Sequence, residues 1–160
     1  MHDFSGSLEK GVNWEFYVDG VLASHGFDIA VVTRADQRNG IDRRISKDSG
    51  MWEIEIKTDF KAAETGNAFI EVVSVDTAGK DGWAYTSTAD CIGYMVPHLG
   101  EIYMIKPSAL RRILPQWESR YPTRAAQNNG YKTHGACVPL PELKKLAYTT
   151  IKTGVYTNLE

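Results

Sequence analysis

Residues 51–58 have the sequence MWEIEIKT, in which apolar and charged side chains alternate strictly from Trp52 onward. Successive side chains of a β-strand point to opposite faces, so this period of two predicts a strand with one apolar and one charged face. We expect the apolar face to pack on the core. That face carries Trp52, Ile54 and Ile56, and the charged face carries Glu53, Glu55, Lys57 and Asp59.

A tight turn precedes this strand at Lys47–Gly50, where an Asp that can bond its own backbone precedes a Gly that accepts positive φ. The turn folds a short predicted strand over about 41–45 back alongside, which brings Asp42 toward the charged face. Neighbours on one face of a strand lie ~6.6 Å apart, so Glu55 and Lys57 can address the same small ligand. Two carboxylates and an ammonium group suit Mg²⁺ and its phosphate ligands. The alternative is a solvated strand in which Lys57 only balances Glu55.

The rest of the chain predicts a mixture of helices and strands in a single domain over 1–160. We expect three helices in this part of the prediction: a first over about 7–25, a second opened by Pro107 and stopped by Pro115, and a last over 142–148. We expect strands over 27–33, 68–74, 91–96, 101–105 and 135–138. A polar turn is predicted around Asn39-Gly40, a loop over 76–90 and an irregular segment over 118–133.

The composition is that of a soluble globular protein, with 160 residues, 42% hydrophobic and 24% charged, which excludes disordered, collagenous and coiled-coil classes. No window approaches the roughly 18 apolar residues of a membrane helix, and the first residues lack the features of a signal peptide. We therefore expect an intracellular protein without a membrane partner. Cys91 and Cys137 fit buried thiols better than a disulfide scaffold or a zinc site.

Charge is unevenly distributed along the chain. Up to Glu101 there are 9 basic and 17 acidic residues, but beyond it 9 basic and 3 acidic, which is a net charge of −8 against +6. This division is compatible with a basic surface in the C-terminal part that faces a polyanion. The alternative is an uneven solvated surface.

The order of helix with Glu15, strand, Asp42, turn and Glu55-Ile56-Lys57 resembles the PD-(D/E)XK nuclease superfamily, the restriction-endonuclease-like fold. Residues 65–71 and 82–90 are also similar to segments of small, often phage-encoded members, and the chain resembles the Holliday-junction-resolvase-like ones. The resemblance covers about residues 8–106 and implies an α/β (α+β) core, a mixed central β-sheet flanked by helices. Ile41 stands where the motif has Pro, which leaves Asp36 and Asp48 as alternatives to Asp42.

The resemblance also implies roles for individual residues. Asp42 and Glu55 would bind a divalent metal, with the backbone carbonyl of Ile56 as a further ligand. Lys57 would orient or deprotonate the attacking water, and Glu15 resembles the acidic residue that many members place on the first helix. The implied cofactor is Mg²⁺, with Mn²⁺ able to substitute, and the implied substrate is DNA.

Basic residues supply candidates for DNA contact. Arg43 and Arg44 follow Asp42 and alternate in direction, so at least one can reach a flanking phosphate. Further candidates are Arg111, Arg112, Arg120, Arg124 and Lys132. Trp83 and Tyr85 can stack on an unpaired base or pack in the core, and Glu71 or Asp90 can approach the site.

We expect a metal-dependent deoxyribonuclease, a structure-selective or weakly sequence-specific endonuclease of DNA replication, recombination or repair. A chain this small leaves little room for a base-reading module, so branched DNA is the leading substrate. Cutting two strands would require a homodimer. The alternatives are a noncatalytic DNA-binding module that retains the nuclease fold, and an interaction domain whose charged strand is only solvated.

Overall fold

The computed structural model describes residues 17–154. Its helices are α1 (17–24 within the described part), α2 (Arg34–Arg38), α3 (Ala62–Thr65), α4 (Trp83–Thr86), α5 (Pro107–Arg120) and α6 (Leu140–Leu146). Its strands are β1 (Asp28–Val31), β2 (Arg43–Lys47), β3 (Gly50–Thr58), β4 (Asn67–Val75), β5 (Lys80–Asp81), β6 (Cys91–Val96), β7 (Glu101–Ile105), β8 (Thr123–Gln127), β9 (Lys132–Pro139) and β10 (Thr149–Lys152). None of these helices is long and apolar enough to cross a membrane.

The central sheet has six strands in the order β1-β2-β3-β6-β7-β10. Strands β1, β2 and β3 form an antiparallel meander, whereas β3 and β6 run parallel. A parallel pair needs a long crossover, and here the crossover contains α3, β4, β5 and α4. The fold is therefore mixed α+β around a mixed central sheet, as the sequence predicts.

One face of the central sheet packs against α1. Val18 and Leu22 of α1 are buried against Ile54 and neighbouring apolar residues of the sheet, and Trp52 and Ile56 pack at the edge of this cluster. Each fully buried aliphatic side chain of this kind contributes about 1.5–3 kcal/mol. The apolar face of residues 51–58 therefore belongs to the core, and that prediction is confirmed.

The other face of the central sheet packs against a second layer. This layer contains a four-stranded sheet, β5-β4-β9-β8, together with α4, α5 and α6. In the parallel register, Glu55 pairs with Ile92 and Lys57 pairs with Tyr94, and both partners are buried in this layer's core. Cross-strand partners project to the same side, so the charged face of β3 points toward the second layer rather than into solvent.

The turn predicted around Asn39-Gly40 is present, but the short helix α2 before it was not predicted, and a capping box between Thr33 and Asp36 begins that helix. One predicted boundary is wrong. Helix α5 continues through Pro115 to Arg120. Pro115 removes one helical hydrogen bond, but the buried face of Leu114 and Trp117 holds the helix across that position.

The predicted loops also contain regular structure. Residues 76–90 include β5 and α4, and residues 118–133 include the end of α5 and β8. Strand β8 is exposed along its whole length, so it carries no alternation of apolar and polar residues that could reveal it. Strand β2 begins at Arg43, which places Asp42 at its entrance rather than within it, and β10 was not predicted.

Candidate active site

Glu55 lies in the middle of β3 with its side chain directed between the two layers, and only 5% of the residue is exposed. Its Oε1 is 2.9 Å from the Nζ of Lys57. Its Oε2 is buried and has no hydrogen-bond partner within the described part of the chain. A buried carboxylate oxygen without a donor is costly, so this position fits a bound cation.

Asp42 is held against the backbone of β3. Its backbone N–H donates to the carbonyl of Ile54 at 2.8 Å, and its Oδ2 accepts from the backbone N–H of Ile56 at 2.6 Å. The ladder between β2 and β3 ends at the pair Arg43 and Ile54, so the side chain of Asp42 takes the place of the next backbone acceptor. This bond fixes the carboxylate beside the residue that follows Glu55.

The carbonyl of Ile56 faces the same edge. Within a strand, the N–H and C=O of one residue point to the same side, and the N–H of Ile56 points to Asp42. The carbonyl of Glu55 points the other way, toward Gly93 of β6. Oxygen atoms of Asp42, Glu55 and Ile56 thus lie close together on β3 and the entrance of β2. Mg²⁺ prefers oxygen ligands and takes one or two carboxylates, so the donor set fits this metal.

Gly40 covers the carboxylate of Glu55. It follows α2 with a φ of +85°, and a Cβ added there would lie 3.0 Å from Oε2 of Glu55. The hydroxyl of Thr88 donates to the carbonyl of Asn39 at 3.3 Å, which ties this loop to the segment after α4. The missing side chain of Gly40 therefore leaves space beside Oε2 of Glu55, the oxygen that makes no hydrogen bond with the described residues.

Lys57 extends from β3 toward α4, and its side chain is 33% exposed. Its Nζ lies 5.7 Å from the centre of the Trp83 ring, which is itself packed in the core. A cavity of about 260 Å³ adjoins the lysine. It is lined by Lys57, Thr58, Asp59, Phe69, Trp83 and Tyr94. The ammonium group of Lys57 therefore pairs with Glu55 on one side and faces the cavity on the other.

Asp59 forms part of the wall of this cavity and holds neighbouring groups there by hydrogen bonds. Its Oδ1 accepts from the backbone N–H groups of Lys61 and Ala62 at 3.0 Å, at the start of α3. Its Oδ2 accepts from the hydroxyl of Tyr94 at 2.5 Å. Burial, and then the charge of Asp59, raise the pKa of Tyr94 well above its usual value, so this hydroxyl remains a donor. Asp59 therefore acts as a structural acceptor beside the site.

The two predicted arginines of β2 have different surroundings. Arg43 is 5% exposed, and its Nε donates to both carboxylate oxygens of Asp19 on α1, at 3.0 and 3.2 Å. Arg44 points to the opposite face, where its Nε donates to Glu53 at 3.1 Å and its side chain is 38% exposed. The directions alternate as predicted, and Arg44 is the more exposed of the two.

The other predicted DNA contacts lie on the second layer. Arg111 and Arg112 are on α5, where Arg111 donates to the carbonyl of Ser87 at 3.0 Å and Arg112 is exposed. Arg124 is exposed on β8, and Lys132 is exposed at the start of β9. Helix α5 and the edge of the second sheet thus carry separate positive groups, and the structure does not gather them at Glu55.

The alternative acidic residues have other functions. Asp36 caps α2 and lies 3.5 Å from Arg44, and Asp48 occupies the exposed β2–β3 turn with a φ of 54°. Asp90 accepts from the backbone N–H of Glu53 at 2.8 Å and so fixes the start of β6. Asp42 is the predicted acidic residue that the fold sets beside Glu55.

Glu15, the fourth predicted catalytic residue, lies outside the described residues. Within 17–154 no group of three or more His, Cys, Asp or Glu side chains gathers in a metal-binding arrangement. The described candidate site therefore consists of two carboxylates, a backbone carbonyl and one lysine.

Sequence reasoning missed the close approach of Gly40 and the cavity wall formed by Asp59 and Phe69. The Asn39-Gly40 pair signals only a change of chain direction, and no spacing in the sequence indicates that it meets Glu55. Compared with known proteins, the chain matches no protein-family model, no curated protein and no solved structure.

Proposed function

We propose that this chain is a divalent-metal-dependent deoxyribonuclease built on a restriction-endonuclease-like core. The observation that carries the proposal is the buried Oε2 of Glu55, which makes no hydrogen bond with any described residue although Asp42 and Lys57 lie beside it. The order of elements also supports it, because an antiparallel β1-β2-β3 meander and a parallel β6 place these groups on adjoining strand segments.

Asp42, Glu55 and the carbonyl of Ile56 would hold Mg²⁺, with Mn²⁺ as a substitute. When bound, such a cation neutralises charge on a phosphodiester and favours ionisation of a water molecule. Lys57, held 2.9 Å from Glu55, orients the attacking water and stabilises the negative charge that develops on the phosphate oxygens. Attack of water on phosphorus breaks the bond to the leaving oxygen, which takes up a proton.

DNA contact would use the basic groups of the second layer, of which Arg111 is half-buried and the others exposed, together with Arg44. Contacts from arginine and lysine to phosphates position the duplex without reading its sequence, so we propose a structure-selective or weakly sequence-specific endonuclease. We place its action inside the cell, in DNA replication, recombination or repair, with branched DNA as substrate. Cleavage of two strands would use a homodimer. The candidates for contact are Arg44, Arg111, Arg112, Arg124 and Lys132.

The test is cleavage of labelled single-stranded, duplex, flap and four-way-junction DNA in Mg²⁺, Mn²⁺ or EDTA. Wild type should cut in either metal and not in EDTA, and Lys57→Ala and Asp42→Ala should lower the rate by about 100-fold or more. Lys152→Ala is the matched control, because this lysine also pairs with a glutamate, at 3.0 Å, but far along β10.

Cleavage that persists in EDTA, or that is unaffected by Lys57→Ala, would contradict the proposal. A wild-type chain that binds DNA and cuts none of the substrates would favour the noncatalytic DNA-binding module instead.

A further inference from the structure

A second cavity, of about 580 Å³, opens on the outer face of the four-stranded sheet. Along β4, Ala68 and Ile70 are buried in the core, so Phe69 between them lies on the opposite face. The cavity lies between the loop around α3 and strand β8. Its lining includes Asp59, Lys61, Asn67, Phe69, Arg124 and Ala126.

Phe69 forms the floor of this cavity. A Cβ added to Gly135 on the neighbouring strand would lie 2.5–2.6 Å from atoms of the Phe69 ring. The glycine therefore allows the ring to lie directly over β9, where it is only partly buried. A partly exposed ring fixed against a sheet is a surface on which a planar group can stack.

Positive charge flanks this ring on two sides. Lys61 lies on the α3 side and Arg124 on β8, and both side chains are exposed. Neither of them forms an ion pair with another described residue. Asp59 also lines the cavity, but its oxygens already accept hydrogen bonds from Lys61 N, Ala62 N and the hydroxyl of Tyr94. The groove thus offers two exposed cations and one carboxylate, fixed by neutral donors, around an aromatic floor.

The groove is continuous with the candidate active site. Phe69 and Asp59 line both this cavity and the 260 Å³ cavity that adjoins Lys57. The backbone N–H of Phe69 lies 3.3 Å from Asp59 Oδ2, and Asp59 is two residues beyond Lys57 on the same chain segment. A strand of nucleic acid with one phosphate at Lys57 can therefore extend over Phe69.

We propose that this groove binds an unpaired nucleotide of the DNA substrate, with its base stacked on Phe69 and its phosphates against Lys61 and Arg124. A base inside a duplex has both faces covered, so stacking on a protein ring selects single-stranded DNA. The inference rests on the proposed function. It names the substrate class as DNA with a single-stranded segment beside the cleaved bond.

The test measures binding without cleavage, by fluorescence anisotropy of labelled oligo-dT and of a blunt duplex in EDTA, on full chains that all carry Lys57→Ala. Phe69→Leu should weaken binding of oligo-dT about tenfold, while binding of the duplex stays the same. Phe69→Tyr should retain binding because it keeps the ring. Phe60→Leu is the matched control, since Phe60 is an exposed phenylalanine outside the groove lining.

Arg124→Ala provides a second variant on the exposed strand β8, where a loss of folding is not expected. It should reduce the slope of log affinity against log salt concentration by about 1 for oligo-dT. The inference is overturned if the Lys57→Ala chain with Phe69 intact binds no oligo-dT, or if Phe69→Leu weakens both DNAs equally or neither.

The result of this binding test can be distinguished from the result of the cleavage test of the proposed function. Stacking without any cleavage would leave the groove as the site of a noncatalytic single-strand binder. Cleavage that is unchanged by Phe69→Leu would overturn only the proposal that the groove binds a nucleotide.

Discussion

Glu55 on β3 and Glu101 at the start of β7 are both largely buried glutamates paired with lysine, with side chains 7% and 14% exposed. Glu101 has two lysines, with Lys152 Nζ 3.0 Å from Oε1 and Lys144 Nζ 3.3 Å from Oε2. Within residues 17–154, Glu55 pairs with Lys57 alone, at Oε1, and its Oε2 has no hydrogen-bond partner. The same residue type thus pairs with two described lysines at one place and with one at the other.

The difference lies in the balance of charge. Around Glu101 two ammonium groups face one carboxylate, whereas the described ion pairs of Glu55 include one ammonium group, that of Lys57. The first cluster joins β7, β10 and α6 through an ammonium group near each carboxylate oxygen, although Oε2 of Glu101, like Oε2 of Glu55, makes no hydrogen bond within the described residues. The second offers a buried carboxylate with one described lysine, and a carboxylate oxygen is a ligand that Mg²⁺ accepts.

The largest expected effect is a difference in DNA cleavage rate between variants of the two glutamates. Glu55→Gln should lower DNA cleavage in Mg²⁺ by about 100-fold or more, because it removes a charged ligand of the proposed metal ion. Glu101→Gln, the same change of one oxygen for an amide, should leave the cleavage rate unaltered. Equal losses in the two variants, measured on the same DNA under single-turnover conditions, would show that the sites do not differ in the way we describe.

A second variant tests the space beside Glu55. Gly40→Ala should lower the cleavage rate by about tenfold to 100-fold, because its Cβ would lie 3.0 Å from Oε2 of Glu55 and displace the carboxylate. Gly130→Ala is the control, since Gly130 has a φ of +84°, close to the +85° of Gly40, and nothing within 4 Å of an added Cβ.

Both glycine variants should lose a similar free energy of unfolding, about 1–2 kcal/mol, from the left-handed backbone alone. If Gly130→Ala slows cleavage as much as Gly40→Ala does, strain rather than contact with Glu55 explains the loss.

The smallest expected effect is the pH-dependent contribution of Glu101 to the free energy of unfolding. Burial tends to raise the pKa of Glu101, but the hydrogen bond from Lys152 and the charge of Lys144 outweigh it and lower that pKa. A lowered pKa stabilises the fold above the unfolded value of about 4.3, and this contribution disappears as pH falls through the folded value. Both lysines are more than half exposed, so we expect less than about 1 kcal/mol.

Urea unfolding of wild type and Glu101→Gln between pH 3 and pH 7 measures this contribution. Wild type should be the more stable at pH 7, and the two should converge below about pH 4. A difference that grows in acid would refute the ion-pair interpretation.

The parts of the fold that the sequence predicts are those that depend on local pattern. A period of two and a turn with Asp48 and Gly50 suffice for the β2–β3 hairpin, and the hairpin brings Asp42 to β3. The same pattern assigns Trp52 and Ile54 to the core face. These features require only neighbouring residues, so no knowledge of distant contacts is needed.

The parts that could not be predicted depend on contacts between distant segments. Arg43 forms an ion pair with Asp19, which lies 24 residues earlier on α1, and no spacing in the sequence predicts that pairing. The contact of Gly40 with Glu55 and the placement of Phe69 over Gly135 are equally non-local. Helix α5 passes Pro115 because its buried face outweighs one lost hydrogen bond, a balance that propensity alone does not reveal.

The most direct test of the central claim is metal-dependent thermal unfolding of wild type, Glu55→Gln and Glu101→Gln, with Mg²⁺ titrated against EDTA. A ligand that binds only the native state adds about 2.7 kcal/mol at 100 times its Kd. We predict that Mg²⁺ raises the Tm of wild type and of Glu101→Gln alike and that Glu55→Gln abolishes the rise. An equal rise in all three proteins, or none in wild type, would contradict the assignment of Glu55 to a cation site.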